Sequence, residues 1–286
     1  MTVFSAAVLQ MRSGEEPRDN AALLERLVEE AVRRGAIYLQ TPEMTGMLAR
    51  DREVFNARLR DPDEDEVVKA ARDLARRHRV HIHIGSVAVK GTGDKAANRA
   101  FVFSPTGELL ATYDKIHMFD VDLDHGESWR ESATYQPGET AGLVDLALGE
   151  GTARLGLGIC YDVRFPQLFQ RQALAGAEVL TAPAAFTRQT GEAHWHVLQR
   201  ARAIENGAFV VSAAQGGRHQ DGRETYGHSL IVDPWGRVLA EMAGDEPGVA
   251  VAEIDTAMVA SARKKIPNLA NARAFGLGFS GGKDRL

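Results

Sequence analysis

Phe101-Val102-Phe103-Ser104-Pro105-Thr106-Gly107-Glu108-Leu109-Leu110-Ala111 and Leu230-Ile231-Val232-Asp233-Pro234-Trp235-Gly236-Arg237-Val238-Leu239-Ala240 follow one pattern. Each is an apolar run, a tight turn with proline second and glycine fourth, and another apolar run, which reads as a β-hairpin. Hairpins of this kind are common, so the match gains meaning only from what surrounds it. Upstream of the first lie a strand at Val3–Gln10, an amphipathic helix over 21–34 with Leu23, Leu27 and Ala31 at helical spacing, and a strand at 37–40 after Gly35. A helix over 65–79 and an alternating strand over 80–89 follow. Upstream of the second the order returns: strand 153–159, helix 165–175, strand 179–182, helix 194–206, strand 209–214.

The repeated order points to an internal duplication. Two such halves bury their apolar faces by stacking sheet on sheet, with helices on each outer face. The expected fold is an α/β four-layer α-β-β-α sandwich. No stretch has the composition of a flexible linker, so 1–286 is expected to be one domain, with a core over about 1–255. The longest piece without periodicity is 116–142, and long loops in compact domains usually carry function.

Composition narrows the function. A formal net charge of −5 argues against a nucleic-acid binder, which normally carries a basic excess. No apolar run approaches the roughly 20 residues of a membrane helix, and the N-terminus has no basic leader. A single cysteine rules out an internal disulfide and a cysteine-rich zinc site, and suits a reducing cytoplasm.

That cysteine, Cys160, sits between the strand 153–159 and a helix whose first turn would begin at Pro166. Exposed backbone N–H groups and the helix dipole there would lower its pKa and bind an oxyanion. A buried cysteine in a strand-to-helix corner fits the same position equally well. Glu43 follows the strand 37–40 and Lys115 follows the first hairpin, and each alone reads as a surface charge. Together they set a carboxylate, an ammonium and a thiol at three strand ends, where sites in α/β sheets assemble. The spaced pairs His81/His83 and His194/His196 read as packed or solvated histidines, since no third metal ligand stands out.

With these segments in view, the chain resembles the nitrilase (carbon–nitrogen hydrolase) superfamily from its first strand to Asp255. The most specific match is Gly156-Leu157-Gly158-Ile159-Cys160-Tyr161-Asp162-Val163-Arg164-Phe165-Pro166. The resemblance implies a cysteine-dependent hydrolase of non-peptide carbon–nitrogen bonds that uses neither metal nor organic cofactor. It implies Cys160 as nucleophile, Glu43 as general base and Lys115 as oxyanion stabiliser, with the backbone N–H of Tyr161 beside it. A second glutamate matches Glu131, with Glu127 as the competitor in the same loop. Arg164, Phe186 and Thr190 match positions that line the substrate pocket. Arg164 would grip a substrate carboxylate, or else form a structural ion pair.

Ala213-Ala214-Gln215-Gly216-Gly217-Arg218-His219 and Tyr226-Gly227-His228-Ser229 most resemble amidases of deaminated glutathione. Lys115-Ile116-His117-Met118-Phe119-Asp120 is equally similar to ω-amidases acting on α-ketoglutaramate. The implied substrate is a small anionic 2-oxo acid amide, cleaved to acid plus ammonia. N-carbamoyl hydrolysis, nitrile hydrolysis and a non-catalytic binding role on the same fold remain as alternatives. Arg188 and Arg218-His219 are expected to reach a longer substrate tail. A homodimer is expected from the resemblance, from the adjacent Leu168 and Phe169, and from the apolar residues of the tail 269–279.

Overall fold

A computed structural model describes residues 2–123 and 128–277. One sheet runs, edge to edge, Gly248–Asp255, Val3–Gln10, Tyr38–Gln40, His81–Lys90, Ala96–Phe103 and Leu109–Asp114, with Tyr135–Gln136 added beside Ala96–Phe103. The other runs Val238–Glu241, Leu230–Val232, Phe209–Ser212, Val179–Thr181, Gly151–Leu157 and Gly142–Leu148. In each, three parallel strands are followed by an antiparallel hairpin, and the first parallel strand has an antiparallel outer neighbour. The two opening hairpins occupy equivalent places. Even their turns match: Ser104 Oγ accepts the N–H groups of Thr106 and Glu108, and Asp233 Oδ1 those of Trp235 and Arg237.

Strand periodicity sets the layers. Along Val3–Gln10, Phe4, Ala6 and Val8 face inward and pack with Leu155, Leu157 and Val179 of the second sheet. Ala7 and Leu9 face outward onto the helices Pro17–Arg33 and Glu66–His78. Helices Pro166–Leu174 and Arg188–Asn206 cover the second sheet through Phe169, Trp195 and Ala203. The result is the expected four-layer α-β-β-α sandwich.

Local departures have local causes. The first helix starts at Pro17 instead of residue 21, because proline is preorganised for the first helical position. Its core stripe carries Leu24, Leu27, Val28 and Ala31, so Leu24 replaces Leu23. The helix ending at Asn206 begins at Arg188, because the Thr187 hydroxyl caps it by accepting the Thr190 N–H. Leu168 and Phe169 are both buried in the chain's own core and offer no surface to a partner. They lend no support to a dimer.

The two halves also touch closely at Gly85, in an irregular part of His81–Lys90. A Cβ there would lie 2.2 Å from the Thr41 carbonyl oxygen, 2.5 Å from that of Pro42 and 2.5 Å from Pro183 Cβ. Pro42 precedes Glu43, and the Pro183 carbonyl accepts the Cys160 N–H, so this contact gauges the distance between the halves. Gly85→Ala is therefore expected to cost about 1–3 kcal/mol or more of stability by overpacking. It should also lower activity in the protein that remains folded. Denaturant unfolding together with kcat per folded molecule checks both, and an unchanged midpoint would contradict the contact.

Candidate active site

The end of Tyr38–Gln40 delivers Glu43, the end of Leu109–Asp114 delivers Lys115, and the end of Gly151–Leu157 delivers Cys160. Lys115 Nζ donates to Glu43 Oε1 at 2.8 Å and to Glu131 Oε1 and Oε2 at 2.9 and 2.8 Å. Asn98 Nδ2 donates to both carboxylates, at 2.9 Å to Glu43 and 3.1 Å to Glu131. The Ala185 N–H donates to Glu43 Oε2 at 3.0 Å, and the Cys160 thiol stands beside the same carboxylate. Glu131 also accepts the Phe119 N–H at 2.7 Å, and it opens a short 3-10 turn, Glu131–Ala133. It is thus a structural member of the cluster, not a residue on a loose loop. Glu127 lies outside the described residues.

Burial sets the protonation states. Lys115 is 2% exposed and Glu43 6%, counted over their side chains. Burial alone would neutralise the ammonium, but Glu131 and Glu43 outweigh it and hold the Lys115 pKa well above its usual value. Burial would likewise raise Glu43, but the Lys115 charge and the donors around it take its pKa below normal. Cys160 goes the other way: burial and the Glu43 charge push its thiol well up, against the pull of Lys115. The expected lowering by a helix terminus fails. A 3-10 turn, Cys160–Arg164, sets the cysteine back from the helix at Pro166, and the Glu43 carboxylate outweighs Lys115 in its field.

Cys160 adopts φ +50, a left-handed conformation costing on the order of 1–3 kcal/mol for a non-glycine residue. Two restraints hold it. Its N–H donates to the Pro183 carbonyl at 2.9 Å. The fully buried Asp162 accepts the Ile159 N–H at 2.9 Å, the Tyr113 hydroxyl at 2.8 Å and His117 Nδ1 at 2.7 Å. The Tyr161 N–H has no hydrogen-bond partner among the described residues. Asn98, the Ala185 N–H and Asp162 all went unread in the sequence.

Cys160 opens into a cleft of about 260 Å³ whose walls include Tyr161, Arg164, Phe186 and Thr190. The Arg164 guanidinium lies 5.4 Å from the Phe186 ring centroid and 3.2 Å from His194 Nδ1, with no carboxylate partner among the described residues. The structural ion pair is therefore not formed. Arg188 pairs with Glu192 and Glu224, and Arg218 is exposed; neither lines the cleft. His219 is buried, bonded to the Ser13 carbonyl and the Thr225 hydroxyl. Arg50, Arg52, Arg130 and Arg223 line the cleft instead.

His81 and His83 are spent on internal hydrogen bonds, to the Ala147 carbonyl and the Tyr38 hydroxyl. One group has the donor set for a cation: His196, His228 and Glu241, with ligating atoms within 4.8 Å of one another. Glu241 Oε1 already accepts from both rings at 2.8 Å, and none of the three lines the cleft. No described helix is long and apolar enough to cross a membrane.

Comparison with known proteins gives the family. The carbon-nitrogen hydrolase family model matches residues 5–264. The chain is 40% identical over 273 residues to a deaminated glutathione amidase of Yersinia enterocolitica, covering 94% of this chain and 93% of that one. It is 37% identical over 265 residues to the deaminated glutathione amidase of Homo sapiens, covering 91% and 80%. Among solved structures, the C. elegans NitFhit protein superposes with a TM-score of 0.85 at 34% identity, covering 95% of this chain and 65% of that longer one. An amidase from Nesterenkonia sp. AN1, solved with acrylamide added to its active-site cysteine, gives 0.75 at 26% identity, covering 92% and 98%. The chain belongs to the carbon–nitrogen hydrolase family.

The protonation pattern predicts a broad pH profile. If Cys160 is the nucleophile and Glu43 its base, the productive state has carboxylate on Glu43, ammonium on Lys115 and a proton on Cys160. It is lost on the acid side only as Glu43 protonates, below pH 4.5, and on the alkaline side only as the thiol proton leaves, above pH 9.0. Between those limits kcat/KM should be level; a limb near neutrality would mean that the thiol is not held protonated.

Proposed function

We propose that this carbon–nitrogen hydrolase is an amidase that cleaves small anionic 2-oxo acid amides, with deaminated glutathione as its substrate. Cys160 acts as nucleophile, Glu43 as general base and acid, Lys115 as oxyanion stabiliser and Glu131 as the residue that keeps Lys115 charged and in place. The observation that carries this reading is Cys160 placed beside a Glu43 carboxylate that is hydrogen-bonded to a charged Lys115. The substrate comes from the relatives named above.

The chemistry follows from the proton's position. As sulfur attacks the amide carbonyl, Glu43 takes the thiol proton, so no free thiolate need accumulate. Lys115 Nζ and the unengaged Tyr161 N–H receive the developing oxyanion. Glu43 then protonates the departing nitrogen, and the thioester forms as the C–N bond breaks. Water takes the amine's place, gives a proton to Glu43 and attacks the thioester. Collapse releases the acid and returns the proton to Cys160. The leaving group depends on the substrate. A primary ω-amide such as α-ketoglutaramate releases ammonia, whereas deaminated glutathione releases the amine of its cysteinylglycine portion. The expectation of ammonia thus applies to the primary amides alone. Arg164, unpaired with any described carboxylate, would hold the 2-oxo acid carboxylate near the nucleophile, between the Phe186 and Thr190 walls.

We also propose a cytoplasmic homodimer. Val197 and Ile204 lie one heptad apart on Arg188–Asn206, 68% and 51% exposed, and Leu174 is 60% exposed. In the tail Phe275 and Leu277 are 87% and 70% exposed, while Phe279 lies outside the described residues. Light scattering at micromolar concentration should return twice the chain mass, and a monomer would remove the claim.

The activity test measures kcat/KM for deaminated glutathione and α-ketoglutaramate on one preparation. Deaminated glutathione should be preferred, and intact mass should show a transient adduct on Cys160. Cys160→Ala should abolish turnover and Cys160→Ser should remove most of it, since an alkoxide is harder to generate than a thiolate. Clear preference for α-ketoglutaramate would replace the substrate, and turnover by Cys160→Ala would refute the mechanism.

A further inference from the structure

We propose that Arg50 and Arg223, gathered on the Trp129 ring, form a second anion subsite that binds the carboxylate at the far end of the substrate. The proposal rests on the deaminated glutathione reading for its ligand, but its geometry stands apart from it. Both guanidinium carbons lie 5.2 Å from the Trp129 ring centroid, within cation–π range. All three residues line the same cleft as Cys160.

The two arginines come from remote parts of the chain and are stitched together. Arg223 Nη2 donates to the carbonyl of Ala49, the residue before Arg50, at 3.1 Å. Arg223 is anchored on its other side by Asp221 at 2.7 Å. Asp221 pairs with Arg223, and Arg50 has no carboxylate partner among the described residues. Two cations sharing one aromatic ring repel each other, and an anion between them relieves that repulsion while offering oxygens to both forks. The chain's net charge is −5, so a cationic wall in the cleft is a local feature and not a consequence of bulk composition.

The neighbouring cations are otherwise engaged. Arg130 pairs with Asp122, and Arg52 donates to the Thr134 hydroxyl. Arg164 belongs to the wall around Phe186. The cleft thus holds cationic points at Arg164 and at the Arg50–Trp129–Arg223 group, and suits a ligand with a carboxylate on either side of the scissile amide. Deaminated glutathione has that form, with a 2-oxo acid at one end and a glycine carboxylate at the other. α-Ketoglutaramate has a single carboxylate and leaves the second point empty, which explains how one reacting centre could favour the longer substrate.

The test uses binding, so that it does not depend on turnover. Glutaryl-alanylglycine and its C-terminal carboxamide differ only in the tail charge, and neither carries the 2-oxo group. Calorimetry on full-length Cys160→Ala protein should show the acid binding at least about tenfold more tightly than the carboxamide, as expected for charged hydrogen bonds. Arg50→Gln and Arg223→Gln, each in that background, should bring the ratio to within about twofold. Because Arg223 also braces the Ala49 carbonyl, the exposed Arg50 provides the variant least open to a folding defect. Equal binding of acid and carboxamide, a preference that survives both substitutions, or no binding of either probe would overturn the subsite. Failure of wild-type protein to cleave deaminated glutathione would instead overturn the substrate reading, and the binding ratio would still judge the subsite.

Discussion

A fully buried ammonium is the constraint on which the rest of this molecule depends. Lys115 is 2% exposed, and an ion that deep in protein is tolerated only with counter-charge and hydrogen bonds at good geometry. Its partners come from distant stretches: Glu43 from the end of one parallel strand, Glu131 from the segment after the hairpin. Asn98, from the neighbouring strand, binds both carboxylates and fixes their spacing. Removing one partner of a buried pair typically costs about 3–5 kcal/mol, so the cluster holds the strand ends together as much as it prepares chemistry. The second sheet joins through the Ala185 N–H, which donates to Glu43, with the Cys160 thiol beside it.

That coupling explains why the fold was legible and parts of the site were not. Strand alternation and helix spacing are local, so the duplicated order could be read directly from the two hairpins. The strands Gly142–Leu148 and Gly248–Asp255 escaped because they complete sheets from outside the repeated order, one of them pairing with the chain's first strand. The segment 116–142 shows no period because its strands, Asp120–Asp122 and Ser128–Arg130, are too short to display one. Glu43, Lys115 and Cys160 could be picked out as polar groups at strand ends. Asp162 could not, although it stands within the most specific motif, because its partners Tyr113 and His117 are 49 and 45 residues away. Arg50 and Arg223 carry no local signal at all; only the fold brings them to one ring.

The cysteine shows where local reasoning misleads. A strand-to-helix corner ordinarily suggests a thiol acidified by the helix terminus. Here the 3-10 turn withdraws the helix, and Glu43 brings negative charge to the sulfur. Across Glu43, Glu131 and Lys115 the charges sum to minus one, and a thiolate would add a second uncompensated negative charge in a buried site. The thiol therefore keeps its proton at rest.

This arrangement has a chemical consequence beyond electrostatics. In the proposed mechanism a resting thiolate would react with any electrophile that entered the cleft, whereas a thiol beside its base becomes nucleophilic only as it attacks. The carbonyl oxygen must then gain charge where Lys115 and the Tyr161 N–H can receive it, so reactivity depends on a correctly seated acyl group. The left-handed backbone at Cys160 belongs to the same logic. It follows the Ile159 N–H bond to Asp162 and precedes a Tyr161 N–H with no partner among the described residues, so the strained residue presents the sulfur and the proposed oxyanion donor from one turn. Strain, burial and a raised thiol pKa, each unfavourable alone, would together make the proposed nucleophile conditional on its substrate.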